Sequence, residues 1–449
     1  MKTSRWYRWT VIAAVVAVLV VGLHTCQSRR ELAEQGPGET IEAELTLQTV
    51  TLEQPDENGN LLWRLQAKSV NYSPDNQRAE LKELEGEFFQ AGETIYTVTA
   101  DEGEVQQNGE TLLLRGHLIA TSSQNDLTLE GERLRWQPKQ DLLVMGDFEP
   151  LAGEVPVSST METPTNGPSI ADREPAEKDL TGSQLGSPSF DPQTAWVSKA
   201  KGLAFGAPDK APVTGFTPEM EAISRVVTVS NKDNRVDLSG GVLARSKETP
   251  WMMFESEALT WFTQRRVIEA KQPLKVEQYE GKGYETVSDR LVGAEGQVQL
   301  AENIVTLNKA VQLDQFAQPL KVRSESALWD VRGQKVTLDQ PVNIEQPERN
   351  ITASANRARL DLDKEIVYLM GNVQAQGEKN DSRLLADEVT WQTATQLVEA
   401  EGNVSYTQAA NPEVSLTGPR AVGNLEEGTV VVTGNTADEV VIEIVPDDL

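Results

Sequence analysis

The chain is poor in the residues that usually carry chemistry. It has one cysteine and two histidines in 449 residues. A lone Cys26 excludes an internal disulfide framework, so an exported domain has to be held by burial and by strand pairing. His24 lies at the end of the N-terminal apolar run and His117 far along the chain next to Gly116. Neither has a cysteine at a metal-ligand spacing, so no metal or other cofactor is expected, and His117 reads as a surface loop residue. There is no G-x-S-x-G elbow, Walker loop or G-x-G-x-x-G, and Gly281-Lys282-Gly283 is too short to substitute for one. No D-x-D-x-D-G calcium loop occurs. Basic residues are also scarce: 41 against 69 acidic ones leaves a net charge of -28. Such a surface repels a nucleic-acid backbone and anionic lipid alike. Carboxylates are plentiful, yet Glu83, Glu85 and Glu87 alternate with Leu84 and Gly86 as on a solvated sheet face.

Long apolar runs are absent but for one, Val11 to Leu23, preceded by Lys2, Arg5 and Arg8 and by Trp6, Tyr7 and Trp9. This is an export signal, and any membrane attachment is hydrophobic and local. The run is short of the roughly 20 residues that span a bilayer, although Trp9 to Thr25 is long enough to cross. Lack of an A-x-A site favours an uncleaved anchor. Leu23-His24-Thr25-Cys26 loosely resembles a lipobox, in which case Cys26 is a lipidated N-terminus; otherwise it is a passive residue at the membrane edge. On either reading the rest of the chain lies at the inner membrane, facing outward.

The abundant signal is a repeat. A small residue is followed 5, 12, 14, 18 and 20 positions later by apolar ones. Ser324 leads Trp329, Val336, Leu338, Val342 and Ile344; Ala355 leads Leu360, Val367, Leu369, Val373 and Ala375; Ala386 leads Trp391, Val398, Ala400, Val404 and Tyr406. Copies start earlier at Gly293, at Ser256 (with Trp261) and at Ala100, and an insertion around Gly281 stretches one 31-residue interval to 37. Apolar residues at i and i+2 on either side of a Gly or Pro describe strand, turn, strand, with one apolar and one wet face. One unit cannot bury its face alone, so neighbours must stack and the sheet must fold over on itself. The copy from Gly418 loses its final apolar pair to Thr436 and Asp438 and reads as a terminal cap. The tryptophans at Trp261, Trp329 and Trp391 read as core filling.

Residues 151–220 hold nine of the 22 prolines and read as a linker. The expected organisation is a membrane anchor or signal over 1–30, a first β region over 39–150, this linker, and a second β region over 221–449. The fold class is all-β, an open β-jellyroll of repeated units after one membrane helix.

Ala386-Asp387-Glu388-Val389-Thr390-Trp391 followed by Ala400-Glu401-Gly402-Asn403-Val404, and Ile351 to Ala355 followed by Leu369-Met370-Gly371-Asn372-Val373, resemble the OstA-like family of lipopolysaccharide-export proteins. That family takes in LptA, LptC and the N-terminal domain of LptD. The anchor points to its LptC branch, in a long two-region form, and the absence of a following barrel speaks against LptD. The resemblance implies no enzyme but a periplasmic trough, tethered to the inner membrane, that takes lipopolysaccharide from an inner-membrane ABC transporter and passes it to an LptA-like bridge. Lining candidates are the inward repeat positions Val336, Leu338, Val342, Ile344, Val367, Leu369, Val373, Val398 and Val404. Two rivals make different predictions: a structural β-repeat protein needs a closed, dry interior, and a carbohydrate-active enzyme needs a carboxylate pair in a groove.

Overall fold

The computed structural model describes residues 45–73, 78–106, 109–149, 212–317, 319–379, 381–409 and 413–433. All of these fall in one compact unit, Leu45–Leu449. The expected anchor, Cys26 and most of the expected linker lie outside the described residues.

The described chain is all-β, with 27 strands joined by antiparallel pairing. Its long strands cross from one layer to another at a line of corners. Ile366–Gly377 shows how. Met370 pairs with Glu388 and Val373 with Ala386, so Gly371 and Asn372 stand opposite the single residue Asp387. Both extra residues are left-handed, with φ of 80° and 50°. This two-for-one bulge bends the strand, and a glycine followed by asparagine adopts the geometry with little strain. Gly402-Asn403, Gly240-Gly241, Gly116-His117 and Lys309-Ala310 make the same bulge. The recurring Gly-Asn-Val is therefore the corner of the fold. At alternate corners a proline splits the strand instead: Pro273 separates Val267–Ala270 from Leu274–Tyr279, and Pro341 separates Lys335–Leu338 from Val342–Gln346.

Each side of the corner line has its own ladder. Leu320–Asp330 pairs with Val342–Gln346 before its corner and with Lys335–Leu338 after it. The two layers fold over a shared interior filled by alternate residues, such as Val336 and Leu338 from one and Val342 and Ile344 from the other. Gly402→Val should therefore cost about 2 kcal/mol in urea unfolding, because an L residue resists the left-handed corner and its Cβ would lie 2.8 Å from that of Asp387. Val404→Ala, beyond the corner, removes only methyl groups.

The sheet runs without a break between the two repeat regions. Leu142–Gly146 pairs with Val226–Ser230 in one layer and Thr128–Gln137 with Val213–Phe216 in the other. Strand Val213–Phe216 and the first residue of Met220–Ser224 thus fall inside the stretch that composition reads as linker. Pro212 precedes the first and Pro218 sits in the turn between them, where no ladder donor is needed. Two large apolar clusters result, one running from Trp63 to Val236 and the other from Val242 to Val432, and Leu238 and Trp261 pack against both.

The insertion that stretches the repeat to 37 residues has a structural role. It lays Tyr284 on the outer face of the sheet, edge-on to Tyr279 at 5.1 Å and to Trp251 at 6.2 Å. The Tyr284 hydroxyl donates to the Ser246 carbonyl. A small outer cluster of Ile223, Leu243 and Met253 is covered in this way.

Candidate functional site

The two layers meet at the corner line and end, on the far side, in two rows of hairpin turns that face each other as lips. On one lip the repeat places a left-handed turn residue in each unit: Asn234, Arg266, Asn303, Gln334, Glu365 and Gln396. At some points the lips touch. The Trp63 indole donates to the Gly109 carbonyl at 3.1 Å. The Arg266 guanidinium donates to both Glu219 carboxylate oxygens at 2.6 Å. The Gln334 amide donates to Gln278 Oε1 at 3.1 Å, and the Gln278 amide returns to Gln334 Oε1 at 3.4 Å.

Elsewhere the interior opens to water. A cleft of about 650 Å³ near the C-terminal end is lined by Leu369, Leu384, Val389, Trp391, Val398 and Val430 among others. Its lips carry Glu348, Arg349, Glu378, Lys379 and Glu426, a mixed-charge rim around an apolar floor. A second cleft of about 500 Å³ lies where the two repeat regions join, lined by Leu129, Ala222, Leu238, Val242, Leu259 and Trp261 with others. A smaller one of about 370 Å³, with Met252, Phe254 and Val298, opens between the Arg266–Glu219 and Gln278–Gln334 contacts. All three fall in or near the range typical of ligand sites, about 300–1,000 Å³.

The repeat positions anticipated as lining divide in two. Leu369 and Val398 face the C-terminal cleft. Val336, Leu338, Val342, Ile344, Val367, Val373 and Val404 are packed in the larger cluster, none more than 2 % exposed. Lining residues such as Leu384 and Val430 went unrecognised because nearness to the lip, rather than the repeat phase, decides which apolar side chains meet the opening. Trp329 fills core, whereas Trp261 and Trp391 each border a cleft. Large apolar residues exposed on the outside are isolated among the described residues: Ile119, Phe316, Leu328 and Leu385. His117 is exposed at its corner, with Nδ1 2.6 Å from Asp101, and that hydrogen bond raises its pKa. Among the described residues no group of three or more His, Cys, Asp or Glu could hold a metal, and no helix is long and apolar enough to cross a membrane.

One interior carboxylate stands beside the glutamine contact. Asp289 pairs across the ladder with Gln278 and Gln315, is buried, and has an Oδ1 without a hydrogen-bond partner. Burial raises its pKa above 3.8. A carboxyl with a raised folded-state pKa favours the fold below its unfolded pKa, and this contribution is lost as pH rises through the folded pKa. Asp289→Asn should accordingly stabilise the chain at pH 7 to 8 by on the order of 1 kcal/mol, with the gain vanishing on acidification to about pH 4. Thermal unfolding of both proteins across that range measures it.

Residues 10–144 and 346–437, together about half of the chain, match the family described as lipopolysaccharide-assembly, LptC-related. The chain belongs to the LptC family. At the level of the family this is a component of lipopolysaccharide transport. No curated protein matches the chain. The second LptC-matched segment contains the whole lining of the C-terminal cleft, from Glu348 to Val430. The strands around the junction cleft from Gly215 onward, and both partners of the glutamine contact, lie between the matched segments.

Proposed function

We propose that the chain is a periplasm-facing component, tethered to the inner membrane by residues 1–30, that accepts lipopolysaccharide from an inner-membrane ABC transporter and passes it to an LptA-like bridge. The C-terminal cleft carries this reading, because it combines an apolar floor, an opening along the lip, and a lining that falls inside an LptC-matched segment. Acyl chains entering it leave water at a gain of roughly 0.8 kcal/mol per methylene, while the sugar head group stays outside the lips. ATP hydrolysis by the transporter supplies the work, and the chain itself makes and breaks no covalent bond.

Two terminal strands support the handover. Among the described strands, Leu45–Pro55 pairs only with Leu61–Tyr72, and Thr429–Thr433 only with Val414–Asn424. Each leaves an edge to which a neighbouring sheet can add, extending the apolar interior from one protein to the next. Vesicles bearing the full chain and the transporter test the scheme: lipopolysaccharide should photo-crosslink to a probe at Val398 in an ATP-dependent manner and reach added LptA. Folded protein whose Val398 probe gives no lipid adduct, with or without ATP, would favour a purely structural repeat protein.

A further inference from the structure

Between the small cleft at Phe254 and Val298, next to the junction cleft, and the C-terminal cleft the interior is solid. Trp329, Val336, Leu338, Val342, Ile344 and Leu360 from both layers fill it and are at most 2 % exposed. Above this packed section the Gln278–Gln334 amide pair closes the lips, and on the same ladder row Asp289 and Gln315 point polar groups inward. An acyl chain drawn along the interior would have to displace close-packed side chains and break the Gln278–Gln334 amide pair beside a buried carboxylate, both of which are costly. On either side of the barrier the lining is apolar and the lip is open.

We propose that the chain holds two separate acyl-chain sites, one in each cleft, which take a lipid molecule each at the same time. This rests on the lipid-carrying reading above and adds a second station in the part of the chain between the LptC-matched segments. Acyl chains suit the junction cleft better than an extended peptide does. The strands bordering it, Met220–Ser224, Arg235–Ser246 and Trp251–Phe262, have ladder partners on both sides. A peptide backbone there would bring N–H and C=O groups with nothing to pair with, whereas a hydrocarbon chain brings none. The Arg266–Glu219 ion pair on the lip offers charge to a head group that remains in water.

The test uses the full chain carrying a photo-crosslinking amino acid at Leu238, at Val398, or at both, exposed to purified lipopolysaccharide and light. Met220 and Val430 serve as substitute positions if either replacement unfolds the protein. Both single-probe proteins should form one adduct, and the double-probe protein a species heavier by two lipopolysaccharide molecules. Adducts from each single-probe protein but never more than one on the double-probe protein would overturn two simultaneous sites, leaving a single migrating lipid. Adduct at Val398 alone would remove the junction site and leave the transport reading intact, and no adduct at either position would remove both.

Discussion

Replacing Trp329 with alanine is expected to cost about 3–5 kcal/mol of folding free energy, the largest effect of any single truncation considered. The indole is fully buried between Val305 and Val336 on the flanking strands, and its Nε1 has no hydrogen-bond partner. No bond is therefore lost, and the whole effect is apolar transfer plus the cavity left behind. Close-packed neighbours from both layers resist collapse into that space. Urea unfolding followed by tryptophan fluorescence, with a separate readout by circular dichroism, measures the change. Leu328→Ala is the control: its side chain is 42 % exposed on the outer face, so a change within about 0.5 kcal/mol is expected. Equal effects at the two positions would mean that the interior assignment of alternate residues is wrong.

Val398→Glu is expected to leave the fold largely intact and to weaken lipid capture more than tenfold. The side chain is half-buried at the C-terminal cleft, opposite Trp391 and Gly423 on the neighbouring strands. In the unliganded protein a carboxylate there reaches water through the lips. Once an acyl chain fills the cleft, that charge has to be desolvated against methylene groups, and a cost of only about 1.4 kcal/mol already gives a factor of ten. Val373→Glu separates the two kinds of position. Val373 is sealed in the core beyond the Gly371-Asn372 corner, so a charge there should unfold the protein rather than spare it. Lipid adduct yield and melting temperature, measured side by side on the two variants, distinguish loss of a site from loss of the fold.

Much of the architecture is legible in the sequence because the repeat is physical. Val336, Leu338, Val342 and Ile344 recur at positions that must all face inward, and Gly-Asn at 371–372 and 402–403 marks a backbone geometry few other pairs adopt. What the repeat does not carry is the separation between the lips. Val336 and Val398 hold the same place in their units, yet one lies in solid core and the other borders an opening. The difference comes from contacts across the mouth, such as Gln278 with Gln334, between residues 56 apart in the chain. The strand at Val213 was hidden for another reason: Pro212 and Pro218 give the stretch a linker's composition while occupying places where a sheet tolerates proline. Tyr284 was hidden because an insertion has no repeat to read.

The most direct test of lipid carriage is position-dependent crosslinking in the intact protein. A photo-crosslinking residue at Val398, inside the C-terminal cleft, is compared with one at Asn343, exposed on the outer face of Val342–Gln346. Light-dependent lipopolysaccharide adduct at Val398 and none at Asn343 is the expected result. Equal labelling at the two positions, or none at Val398 in folded protein, would contradict an interior that carries acyl chains.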